Sequence, residues 1–75
     1  MKALVTGANG FLGSAVVRAL LADGAAVRAF ARAGSDRRNL EGLDVELAIG
    51  DLTERDSLRR AAAGCDAVFH VAQEQ

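Results

Sequence analysis

Apolar positions along this chain fall into short runs broken by glycine and acidic turns, and the spacing alternates between that of a strand and that of a helix. Ala3 to Thr6 is a compact apolar run that reads as a first strand. From Phe11 to Ala22, Leu12, Ala15, Val16, Ala19 and Leu20 recur at three- and four-residue spacing, which predicts one amphipathic helix with a single apolar stripe. Asp23-Gly24 ends it, with Gly24 placed for the left-handed conformation beyond a helix C-terminus. A second strand is predicted over Ala26 to Ala31. Ala33-Gly34-Ser35-Asp36 then reads as a turn, in which Ser35 caps a short helix from Asp36 to Leu40 that Gly42 breaks.

A third strand follows, Val45 to Ile49, and leads into Gly50-Asp51-Leu52. Thr53 is the expected N-cap of a further helix, with Glu54 in its first turn and Asp56 three residues on. Leu58, Ala61 and Ala62 form the apolar side of that helix and Gly64 closes it. The last strand is predicted over Ala67 to Ala72, before the polar Gln73-Glu74-Gln75. Strands alternating with helices imply a parallel sheet with right-handed crossovers. The expected fold is α/β and doubly wound, with strand order 3-2-1-4. The first two helices lie on one face, the third helix lies on the other, and the loop after the first strand sits where the order reverses.

Composition narrows this little. The chain has 75 residues, enough for a single small domain over 1–75 with a marginal core. With 51% hydrophobic and 25% charged residues and a net charge of −1, it gives no electrostatic case for nucleic acid or an anionic membrane. The single cysteine, Cys65, suits a reducing, cytoplasmic setting. No run reaches membrane-spanning length, and Met1-Lys2-Ala3-Leu4-Val5 is too short before its glycines for a secretory leader.

The chemistry is concentrated in Thr6-Gly7-Ala8-Asn9-Gly10-Phe11-Leu12-Gly13. A strand enters this loop and a helix leaves it, the geometry that holds a dinucleotide pyrophosphate. Gly7 allows the tight turn, Gly10 lets the backbone approach the phosphates, and Gly13 lets the helix pack against the strand. The helix N-terminus supplies N–H groups and a favourable dipole. Arg32 lies 19 residues beyond Gly13, at the tip of the second strand. An acidic residue there would bond the ribose 2′-hydroxyl of NAD, whereas arginine accommodates the 2′-phosphate of NADP. Arg37 and Arg38 follow closely, and arginine presents a fixed fork of donors to phosphate. The alternative for Arg32 is a solvated surface side chain. Asn9 either orients the loop or occupies a turn.

These residues resemble the Thr-Gly-x-x-Gly-x-x-Gly signature of the extended short-chain dehydrogenases/reductases, which include sugar-nucleotide epimerases, dehydratases and dihydroflavonol reductase-like enzymes. Gly50-Asp51-Leu52 and Val68-Phe69-His70-Val71-Ala72 are similar to two further segments of that family, and Val27-Arg28-Ala29-Phe30-Ala31-Arg32 resembles its reductase-like branch. The resemblance runs from Met1 to Ala72 and implies the N-terminal half of a Rossmann domain. It implies that Asp51 meets the adenine amino group, although Asp51 also reads as a turn residue before Thr53. It also implies that the end of the fourth strand lies under the adenosine ribose. The implied cofactor contacts are Gly7, Asn9, Gly10, Phe11, Leu12, Gly13, Arg32, Arg37, Asp51, Leu52 and Ala72.

The family carries a catalytic Ser/Thr and a Tyr-x-x-x-Lys pair after the fourth strand. Here there is no tyrosine, Lys2 is the sole lysine, and Gln73 stands where a small residue usually continues the strand end. No catalytic residue and no metal ligand is therefore expected. His70 reads as a strand histidine packed under a helix, Cys65 as an inert small side chain, and Arg59-Arg60 as a solvated helix face.

Two functions follow. One is a non-catalytic module that weakly grips the ADP-ribose part of NADP or NAD. The other is a truncated or engineered fold fragment that assembles without useful cofactor binding. In both, Ala67-Val68-Phe69-His70-Val71 is an apolar sheet edge with no proline or lysine to blunt it, so a homodimer through the fourth strand or the uncovered sheet face is expected.

Overall fold

The computed structural model describes residues 1–71. β1 (Lys2–Thr6), β2 (Ala26–Ala31), β3 (Glu46–Ile49) and β4 (Ala67–His70) form one parallel sheet in the order β3-β2-β1-β4. Two helices, α1 (Phe11–Ala22) and α2 (Arg55–Ala62), and a 3₁₀ turn (Arg38–Leu40) make up the remaining regular structure. The strand order and parallel pairing agree with the expectation, since a run of short apolar strands broken by helices has few other ways to bury both faces.

β1 is the centre of the core. Its successive side chains alternate between faces. Val5 packs with Val17, Val27, Ala29 and Leu40 on the α1 side. Leu4 packs with Phe30 and Ala61 on the α2 side. Ala3, Leu4, Val5 and Thr6 are all fully buried, so β1 is covered on both faces. The 3₁₀ turn joins α1 on its face through Leu40, as expected for the first two helical segments.

α1 ends as its sequence suggests. Gly24 has φ +89°, its N–H donates to the Leu21 carbonyl, and the Ala25 N–H reaches back to Leu20. This is the paired hydrogen-bond pattern of a glycine-terminated helix.

The stripe that α1 buries differs from the expected one. Gly13, Ser14 and Val17 are its buried residues, with Val16, Leu20 and Leu21 packed beside them. Leu12 and Ala19 face outward. The rotation is set by the glycine loop, because a Cβ at Gly13 would overlap the Gly7 carbonyl and the Ala8 Cα. The helix therefore turns its smallest residue, rather than Leu12, toward the strand.

Two helix starts are also corrected. The segment after Ser35 is a three-residue 3₁₀ turn rather than a helix from Asp36. Ser35 does not cap it, since its hydroxyl donates to the Arg32 carbonyl at 2.7 Å. Asp36 takes the local donor instead, with its Oδ1 accepting from the Arg38 N–H at 2.9 Å. Likewise α2 starts at Arg55 with Glu54 as N-cap and no side-chain cap bond, and Thr53 is not the cap. The Thr53 hydroxyl donates to Asp51 Oδ1 at 2.9 Å and is thereby spent on the preceding turn. The apolar side of α2 is as expected from Leu58, Ala61 and Ala62, with Ser57 buried among them.

Candidate functional site

The loop after β1 is shaped by contacts that admit no side chain. Gly7 has φ +65°, and a Cβ on it would strike the Val71 carbonyl oxygen, so the end of β4 presses directly on the turn. Thr6, fully buried, ties the same two segments together. Its hydroxyl oxygen accepts the Val71 N–H at 3.2 Å and lies 2.8 Å from His70 Nδ1. His70 is exposed rather than packed under a helix: its ring bonds at the sheet end to Thr6, beyond the cover that α2 gives Leu4.

Gly10 is the N-cap of α1, in ordinary extended backbone at φ −80° and ψ 173°. No side chain caps this helix and no acidic residue stands in its first turn. The N–H groups of a first helical turn have no partner within the helix, and among the described residues those of Phe11, Leu12 and Gly13 have no backbone partner elsewhere. Phe11 and Leu12, the first two residues of α1, do not line the neighbouring cleft. Their side chains point outward, Phe11 with 84% of its surface exposed.

A cleft of about 490 Å³ opens at this point. Gly7, Asn9, Gly10 and Val71 form its phosphate-loop end, and Phe30 and Ala31 lie beneath. Arg32, Ser35, Asp51, Leu52 and Thr53 close the far end. A smaller hollow of about 260 Å³ shares Arg32 and Asp51 with it. The structure thus brings together Gly7, Asn9, Gly10, Arg32, Asp51 and Leu52 of the expected contacts. Gly13 acts from behind by allowing the loop and helix to meet. Arg37 is exposed and does not line the cleft. Ala72 lies outside the described residues, as does Gln73.

Asp51 has the turn role, and the arrangement leaves room for a second one. Its Oδ1 accepts both the N–H and the hydroxyl of Thr53, each at 2.9 Å, and its own N–H donates to the Ser57 hydroxyl at 3.1 Å. The Thr53 N–H, then the Thr53 hydroxyl, and more weakly the Arg32 charge hold the Asp51 carboxyl below its ordinary value. Among the described residues no hydrogen bond reaches Asp51 Oδ2. The preceding Gly50 is required by packing, since a Cβ there would meet the Phe30 ring and the Ser57 hydroxyl.

Sequence reasoning missed several residues of the site. Phe30, Ala31 and Ser35 line the cleft, and Thr6, His70 and Asn39 brace it. Phe30 carried a usable signal, because a large aromatic one residue from the end of a parallel strand lies at the ligand-binding edge of such sheets. The partners of Asn39 and His70 lie 30 and 64 positions away, and no local pattern reports them. No cluster among the described residues has the make-up of a metal site.

A parallel sheet that reverses its strand order at a glycine loop, with a helix N-terminus facing a cleft over the strand ends, defines the nucleotide-binding class of doubly wound α/β domains. The model of the NAD dependent epimerase/dehydratase family matches residues 3–75, and the chain belongs to that family. It is 54% identical over 72 residues to sterol demethylase protein B of Methylococcus capsulatus, covering 96% of this chain and 22% of that protein. Among solved structures it resembles gox2253, with a TM-score of 0.91 at 48% identity over 97% of this chain and 22% of that one. It also resembles the UDP-glucose 4-epimerase of Thermus thermophilus, solved in complex with NAD, with a TM-score of 0.80 at 32% identity. That similarity covers 99% of this chain and 24% of the epimerase. The chain spans about a fifth of the length of the relatives it matches.

Proposed function

We propose that these residues form a dinucleotide-binding module that grips the ADP-ribose part of NADP, or more weakly of NAD, and that they do not catalyse hydride transfer on their own. One observation carries the reading. Gly10, the N-cap of a helix that no side chain caps, and Arg32 line the same cleft. Open N–H donors with no acidic neighbour fit a pyrophosphate. Arg32 fits a 2′-phosphate at the far end, and its fork of donors suits that group better than a ribose hydroxyl. Asp51 Oδ2 and Leu52 would receive the adenine, one by a hydrogen bond and the other by apolar contact. The bound group supplies hydride chemistry in relatives that use it, while the residues here bind and orient. The absence of tyrosine supports a non-catalytic role for this stretch. The single cysteine and near-neutral charge agree with a cytoplasmic setting.

Affinity is expected to be weak, because a ligand must offset its lost motional freedom with contacts to part of its length only. The test is a thermal melt with millimolar NADP, NAD and ADP-ribose. A ligand binding only the folded state adds about 2.7 kcal/mol at one hundred times its dissociation constant. Gly10→Val is the control, since its ordinary extended backbone accepts valine while the side chain occupies the phosphate position. A shift largest for NADP and absent in the variant supports the reading. A cooperative melt that no ligand moves rejects it in favour of a fold fragment without useful cofactor binding.

A further inference from the structure

The phosphate loop and the arginine-bearing loop after β2 are joined by a reciprocal clamp. Asn9 Nδ2 donates to the Asp36 carbonyl at 3.1 Å, and Asn39 Nδ2 donates to the Asn9 carbonyl at 3.1 Å. Both partners are carbonyl oxygens, which only accept, so the orientation of each amide is settled by its neighbour. One side chain reaches out from the glycine loop and the other reaches back, across 27 and 30 positions of sequence.

The loop so held is otherwise lightly anchored. It leaves β2 at Ala31, passes Gly34 at φ +79°, and regains the core only at Leu40, which is buried beneath α1. Between these points its bonds are local: Ser35 to the Arg32 carbonyl, and Arg38 N–H to Asp36. Arg32 and Ser35 stand in the cleft on this segment, while Asn9 and Gly10 stand in it on the other. The clamp is thus the direct link between the two walls of the site.

We infer that Asn39 is a positioning residue: through Asn9 it fixes the Arg32 loop to the phosphate loop, so that an anion seated on Arg32 is favoured by a wall already in place. This rests on the dinucleotide reading and deepens it, since it makes discrimination for a 2′-phosphate depend on a side chain that touches no ligand. Without the clamp, binding must also order the loop, and the cost falls on ligands that use Arg32.

The experiment measures dissociation constants for 2′,5′-ADP, which carries the extra phosphate, and for ADP, which lacks it. Asn39→Leu is the variant of choice: it keeps the approximate shape of the side chain and removes the donor at an exposed position without adding a charge beside the anion. The loss of one neutral hydrogen bond predicts 2′,5′-ADP affinity lowered about five-fold, with ADP much less affected. In an Arg32→Ala background the same change should have no further effect, because a positioning residue has nothing left to position. Hydrogen exchange without ligand should show faster exchange at Arg38 and Gly10 in Asn39→Leu. Equal loss for both ligands, or effects of Asn39→Leu and Arg32→Ala that simply add, would overturn the inference while leaving the dinucleotide reading intact. If the unaltered protein binds neither compound, the dinucleotide reading fails and takes this one with it.

Discussion

Gly10 and Gly13 lie one helical turn apart and are needed for different reasons. Gly13 is demanded by the fold, because a Cβ there has only backbone to meet, at Gly7 and Ala8. Gly13→Ala should therefore cost about 1–3 kcal/mol, as overpacking does when neither side can yield. Urea denaturation measures this, and an unchanged midpoint would show that α1 can slide away from the loop at little cost. Gly10→Val should remove ligand binding and, as a poorer N-cap, lower stability by about 1 kcal/mol. The glycine pattern was legible in sequence, because the close approaches of a strand–loop–helix phosphate site leave few alternatives. The turn role of Asp51 was one of two readings open from sequence, whereas that of Thr53 was missed. A Thr before an acidic turn looks the same whether it caps the coming helix or closes the turn behind it, and only the geometry of Asp51 decides between them.

At the scale of elements, the C-terminus of α2 is held by a strand residue. The Arg28 guanidinium on β2 donates to the carbonyls of Ala61 and Ala63, where a positive charge also favours the helix dipole. Its Nε lies 3.2 Å from Glu46 on β3, which Lys2 also meets at 3.0 Å. Arg28→Ala should then lower stability by about 2 kcal/mol, the scale of hydrogen bonds to a charged group. For a domain of this size each kcal/mol moves the melting temperature by about 4–8 °C, so calorimetry will resolve it. A loss confined to a few tenths would mean that water replaces the guanidinium.

The same cluster sets an acid limit. Hydrogen bonds from Lys2, then from Arg28, hold the Glu46 carboxyl below its ordinary value of 4.5. A carboxylate with a lowered folded pKa adds stability above its ordinary value and loses it as the pH falls through the lower, folded one. Stability of the unaltered protein should decline in that window, and the decline should be shallower in Arg28→Ala. Identical pH profiles would show that Lys2 alone carries the effect. The elements were readable from hydrophobic spacing, since strands and helices differ so plainly in period. The brace between them was not, because Arg28 looks like any alternating polar position until the crossover places α2 above it.

For the whole molecule, exposed apolar side chains stand at the start of α1 and on both edge strands of the sheet, β3 and β4. Val68 and Phe69 on β4 are 50% and 37% exposed, on opposite faces of an outer strand. We propose that two copies of the chain pair along β4, as apolar edges without blunting charges tend to do. Light scattering at micromolar concentration should report a dimer that Val68→Lys or Phe69→Lys weakens. A monomer throughout, or variants that stay fully dimeric, would place the contact elsewhere or remove it. Val71, which packs against the core, is unsuitable for this test. The sheet order was legible because few topologies suit such a pattern. The exposure of His70 was not, since it depends on how far α2 extends over the strand end.

The hydrogen bonds and close contacts that shape the glycine loop join Thr6 and Gly7 to His70 and Val71, as many as 65 positions apart. Loops of that span close late, after shorter ones have formed. Synthesis runs from N- to C-terminus, so the glycine loop emerges before β4 and has no wall to press against until position 71 has followed. A nascent chain released earlier would hold the motif and three strands without a binding shape.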